Sequence, residues 1–121
     1  MTAIVEVRNS TTVMNKVYDD RGRVAVLYSP DYGAGWFTWN TEYPEMLYDP
    51  TIVHIVLQDL DPKEKTERIV VYATLRYPDA YLGGAGDLTV EWIPEGTLFR
   101  VTEYDGNEGI ELKESDQWFV A

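Results

Sequence analysis

The 121-residue sequence contains no cysteine and a single histidine, His54. Without cysteine there is no disulfide framework, no thiol nucleophile and no thiolate metal site, and one imidazole cannot build a site that needs two. Basic residues are also scarce, with 10 against 21 acidic side chains and a formal net charge of −11. Such a field repels polyanions, so direct nucleic-acid binding and attachment to an anionic membrane are not expected. No apolar run approaches the ~20 residues of a membrane-spanning helix. The start, Met1 to Val7, lacks the basic-then-apolar pattern of a signal peptide. A soluble protein of the cytoplasm is the expectation.

What is present suits one globular domain spanning residues 1–121. The apolar fraction is 45% and the aromatic fraction 13%, enough for a packed core at this length. The acidic charge is uneven. Residues 1–60 carry 8 acids and 4 bases, residues 61–121 carry 13 and 6, and the last 35 residues alone carry 9 and 2. That C-terminal third is either a solubilising face or a surface that docks onto a basic partner.

Hydrophobic periodicity places strands first, then two helices, then strands. Ala3–Arg8 and Val13–Tyr18 read as short strands, and Asp19-Asp20-Arg21-Gly22 reads as a hairpin turn. Arg23–Ser29 runs almost wholly apolar, as a central strand buried on both faces would. Asp49-Pro50 and Asp61-Pro62 each supply an N-cap acceptor and a proline at the first helical position. Ile52, Ile55, Val56 and Leu60 form the first buried stripe, and Glu64 is placed to close a capping box on the second helix. Tyr77-Pro78 ends that helix. Leu88–Ile93 and Leu98–Tyr104 then alternate, and Asp105-Gly106 signals a hairpin whose loop Asn107-Glu108-Gly109 lengthens. Ile110–Lys113 and Gln117–Val120 close the chain. The fold class is α+β, an antiparallel β meander with two consecutive helices inserted between its N-terminal and C-terminal strands.

The stretch from Ser29 to Asn40 carries the most distinctive chemistry. Tyr32, Gly33, Ala34 and Gly35 form a turn whose bare backbone can approach a ligand, and its successive N–H groups can cradle an anion. Trp36 and Trp39 offer flat faces for stacking, and the Asn40 amide can both donate and accept. Alternatively, the glycines serve backbone geometry alone and the tryptophans fill the core. A second loop, Leu82–Asp87, repeats Gly-Ala-Gly through Gly84, Ala85 and Gly86 and reads most simply as a helix-to-strand connection. If the two loops meet at one end of the sheet, they could line a pocket between them. One or two of the six arginines facing it would make an anion site that the net charge hides.

Other constellations point nowhere in particular. Asp59/Asp61 and Asp19/Asp20 fit helix ends and turns, and the acidic segment 103–109 lacks the spacing of a calcium loop. No serine sits in a nucleophile elbow. A non-catalytic protein without cofactor or metal is expected.

The run Val24–Pro30, Tyr32-Gly33-Ala34-Gly35-Trp36 and Thr38-Trp39-Asn40 resembles a group of small acidic proteins encoded by tailed bacteriophages and prophages. The resemblance continues through Met46–Pro50, Gly83–Leu88, Glu91–Gly96 and Glu103–Gly106, covering nearly all of the chain from Val24. It implies a viral protein acting in the host cytoplasm and brings no catalytic residue with it. In that setting two roles are expected. One is a counter-defence sponge, as the Thoeris anti-defence proteins are, trapping a small nucleotide-type ligand such as a cyclic nucleotide or cyclic ADP-ribose. The other is an acidic inhibitor of a host protein, acting in the manner of a DNA mimic. Surplus aromatics and open strand edges favour a homo-oligomer in either role.

Overall fold

The computed structural model describes residues 6–9 and 14–113. Strand β1 (Glu6–Asn9), β2 (Asn15–Tyr18) and β3 (Arg23–Tyr28) precede helices α1 (Pro50–Leu57) and α2 (Pro62–Arg76); β4 (Thr89–Pro94), β5 (Phe99–Tyr104) and β6 (Asn107–Leu112) follow. Sequence positions 3–5, 13 and 117–120 of the expected strands lie outside the described residues. The α+β class holds, with the helices between the two sets of strands. β4 returns across the helices to pair antiparallel with β3, giving a sheet ordered β1-β2-β3-β4. The meander stops there, because β5 and β6 form a separate hairpin.

Strand β3 explains this layering. Its side chains alternate between faces, and four consecutive residues, Val24 to Leu27, are all buried. Ala25 and Leu27 pack with Ile52 and Val53 of α1 and Ile69 and Ala73 of α2. Val24 and Val26 pack on the opposite face with Ile93, against Phe99, Val101, Ile110 and Leu112 of the hairpin. A sheet apolar on both faces requires two covers, and each fully buried aliphatic side chain contributes roughly 1.5–3 kcal/mol. The helices supply one cover and the hairpin supplies the other.

The turns and caps follow the local chemistry. Gly22 takes a φ of 76° in the β2–β3 turn. The buried Asp19 carboxylate accepts from the Arg21 and Arg23 amides and from Arg23 Nε at 2.7 Å. Burial pushes its pKa up, but those hydrogen bonds and the Arg23 charge outweigh burial and hold it below the usual value. Asp61 caps α2 through the Lys63 and Glu64 amides. Glu64 does not close a capping box; it pairs with Arg68 one turn on, at 2.8 Å. Leu60, expected on the α1 stripe, lies beyond the end of that helix.

Asp49 has a larger role than a cap. Its Oδ1 accepts from the Thr51 and Ile52 amides, while Oδ2 accepts from the Tyr72 and Tyr77 hydroxyls at 2.9 and 2.5 Å. One buried carboxylate thereby fixes both the start of α1 and the end of α2. Burial raises the Tyr77 pKa far above the ordinary tyrosine value, and the Asp49 hydrogen bond and charge raise it further. Unfolded tyrosine ionises near pH ~10, whereas folded Tyr77 stays protonated. The resulting stabilisation is complete below that pH and is lost as pH rises through the window above it. Urea unfolding should therefore weaken progressively above about pH 10, and Tyr77→Phe should flatten that decline. An unchanged alkaline slope in Tyr77→Phe would contradict the assignment.

Candidate functional site

The two glycine loops meet at the end of the sheet where β3 finishes and β4 begins. They meet in contact. A Cβ on Gly84 would lie 2.6 Å from the Gly35 carbonyl oxygen, so the two backbones are in direct contact there. The second loop is an ordered 3₁₀ turn, Gly83–Asp87, with Gly84 and Ala85 buried. Gly86 is exposed and faces Thr66 of α2.

The first loop does cradle an anion, and the anion is the chain's own Glu108. Its Oε1 accepts from the Ser29 amide at 2.8 Å. Its Oε2 accepts from the Trp36 amide at 2.8 Å, the Thr38 amide at 2.9 Å and the Thr38 hydroxyl at 2.6 Å. The side chain is 1% exposed. A buried carboxylate is tolerated when its lone pairs are satisfied, and charge-assisted bonds are the stronger kind. The Glu108 amide also donates to the Ser29 carbonyl, and the Gly33 amide donates to Asp105, both at 2.7 Å.

Turn geometry places Glu108 there. Asp105 and Gly106 both have positive φ, 53° and 84°, and Tyr104 pairs with Asn107 across them. This is a two-residue primed turn and not the longer loop expected through Gly109. β6 consequently starts at Asn107, and Glu108 shares the inward face with Ile110 and Leu112. Gly106 seats the turn against the loop, since a Cβ there would overlap the Ala34 amide nitrogen. The alternation Glu108/Ile110/Leu112 behind an Asp-Gly pair was the available signal in the sequence.

The remaining expected residues divide into buried and exposed. Trp36 is 0% exposed and donates its indole N–H to the Met46 carbonyl at 2.8 Å, so it presents no stacking face. Asn40 is buried too, bridging the Trp36 and Tyr81 carbonyls and accepting from the Tyr81 amide. Gly35 packs beneath Trp39, and Ala34 accepts from the Ser29 hydroxyl. Tyr32 and Trp39 remain at the surface, 68% and 40% exposed. Trp39 stacks at a tilt on Tyr81, centroids 4.9 Å apart.

Around these aromatics the loop end gathers carboxylates. Asp31 lies beside Asp87, and hydrogen bonding to it, then burial and the Asp31 charge, raise the Asp87 pKa. Asp105 lies across the Gly33 contact, beside Tyr104, which is 77% exposed. Among the described residues, no cation pairs with Asp31, Asp87 or Asp105. No group of three His, Cys, Asp or Glu residues converges as a metal site among the described residues. No helix among them is long and apolar enough to cross a membrane.

Comparison with protein-family models, curated proteins and solved structures finds no match. The site therefore rests on its own geometry.

Glu108→Gln is expected to cost about 3 kcal/mol or more, because an amide N–H would face one of the loop's buried donors and the charge would be lost. Urea unfolding measures this, and a variant as stable as the parent would contradict the role assigned to the carboxylate.

Proposed function

We propose that the protein is a non-catalytic binding protein that docks through its carboxylate-and-aromatic end onto a basic surface of another protein. The observation that carries this reading is the clustering of the exposed Asp31, Asp87 and Asp105 beside the exposed rings of Tyr32, Trp39 and Tyr104, with no cation paired to those carboxylates among the described residues. Like charges in contact are unfavourable unless a proton or a cation intervenes. An arginine guanidinium fits because its planar fork binds carboxylates in two directions. Tyr32 and Tyr104 supply ring faces over which a second cation can lie, worth about 0.5–1 kcal/mol each at exposed sites. Aromatic residues ringed by charge are also the usual composition of a protein-binding surface.

The net charge of −11 supports this role, since it steers a basic partner inward. A nucleotide-type ligand is less well served. The Trp36 and Thr38 amides are committed to Glu108, and Trp36 is enclosed. The phage resemblance would place the encounter in the host cytoplasm, with a nucleic-acid-binding or defence protein of the host as the basic partner.

The acidic C-terminal third is not uniformly available for docking. Glu108 is buried and Glu111 pairs with Arg100 at 2.8 Å, while no cation pairs with Asp105 among the described residues. An arginine-rich peptide probe, followed by fluorescence anisotropy, tests the location. Replacing Asp31, Asp87 and Asp105 together by asparagine should weaken binding about tenfold or more at moderate salt, with a reduced salt dependence. Neutralising three exposed acids elsewhere, Asp20, Asp59 and Glu67, should have a much smaller effect. Equal losses from the two sets would reduce the attraction to overall charge and contradict the proposal.

A further inference from the structure

A second region, independent of the glycine loops, has the features of a small-molecule site. A cavity of about 290 Å³ opens between the β1–β2 pair and the adjoining ends of the two helices. That volume is just below the usual range for ligand pockets, roughly 300–1,000 Å³, and suits a guest of a few heavy atoms. Val7, Met14 and Pro50 form its apolar surface. Its polar lining is Asp49 with Tyr72 and Tyr77, together with Thr51, Asn15 and the charged pair Glu45 and Arg76.

The hydrogen-bonding state of that wall determines what can bind. Each phenol has one proton to donate, and both protons go to Asp49 Oδ2. Toward a guest, the phenol oxygens therefore offer lone pairs and no proton, with the Thr51 hydroxyl beside the Tyr72 oxygen. At the rim, Glu45 is 3.8 Å from the Arg76 guanidinium, too far for a hydrogen bond, and its carboxylate keeps its acceptor capacity. The Arg76 charge is partly occupied elsewhere, over the Tyr77 ring at 5.0 Å. Two carboxylates against one guanidinium leave the walls formally at −1. The two tyrosine rings add negative quadrupole faces.

We propose that this cavity binds a small organic ammonium ion, its N–H donors directed at the Glu45 carboxylate and the Tyr72 and Tyr77 oxygens and its carbon chain against Val7 and Met14. An anion would meet two carboxylates against one guanidinium, and a neutral alcohol could donate to Glu45 but would bring no positive charge to the site. The site differs from the acidic docking end in residues and in partner, so each can fail without the other.

Calorimetric titration of the full chain with putrescine and cadaverine tests this, with glutarate and 1,5-pentanediol as the anionic and neutral counterparts. Saturable one-to-one binding of the diamines, and none of the counterparts, is expected. Glu45→Gln and Tyr72→Phe should each weaken diamine binding by about tenfold. Tyr72→Phe leaves the Tyr77 bond to Asp49 in place, and thermal unfolding of each variant confirms that it is folded. Replacing Asp31, Asp87 and Asp105 by asparagine should leave diamine affinity unchanged. Absence of saturable binding, equal binding of glutarate, indifference to both cavity substitutions, or loss of binding in the acidic-end variant would each overturn the proposal.

Discussion

The Glu108 carboxylate, buried against four donors of the Ser29–Thr38 loop, is the contact on which the rest of this structure depends. It joins three elements at one point: the end of β3, the glycine loop and the outer hairpin. The loop leaves β3 with its amides pointing inward, and inward amides away from water need acceptors. No ladder is available to them, because the chain is turning toward α1. A single charged side chain satisfies several at once. Around it, Gly106 meets Ala34 and Gly84 meets Gly35, contacts open only to residues without a Cβ.

Other acidic side chains are used in the same way. Asp19 closes the β2–β3 turn, Asp61 caps α2, and Asp49 ties α1 to α2 through two tyrosines. A chain with 21 acids thus commits several to holding backbone amides and hydroxyls. The composition alone does not separate these from the exposed carboxylates that face solvent. At the loop end the two kinds lie side by side. Glu108 is sealed inside, while Asp31, Asp87 and Asp105 stand outside without cations among the described residues. The internal carboxylate ties the backbone beneath that surface through four hydrogen bonds.

Much of the framework was legible in the sequence because it is locally encoded. Asp-Pro pairs mark both helix starts, and the apolar run Val24–Leu27 demands cover on two sides. The split of the last hairpin from the sheet was not legible. Alternating strands joined by short turns look the same whether they extend a sheet or fold over it, and only the double-sided burial of β3 separates the two. At the site, the Ser29–Asn40 stretch reads in the sequence as a backbone cradle for an external anion, whereas the Ser29, Trp36 and Thr38 amides hold an internal carboxylate 72 residues away from Trp36. Reading segment 105–109 as one long loop hid it. Counting Asp105-Gly106 as a complete two-residue turn puts Glu108 on the inward face with Ile110 and Leu112, where an acid among apolar residues asks for a partner.

Amide hydrogen exchange of the intact protein, resolved by residue, tests the central interaction most directly. If the Glu108 carboxylate holds the loop, the Trp36 and Thr38 amides exchange as slowly as those of β3, through the same global opening, although both donate to a side chain and not to a helix or strand carbonyl. Fast, independent exchange at Trp36 and Thr38 while β3 remains protected would show that the carboxylate does not lock the loop, and would contradict the account.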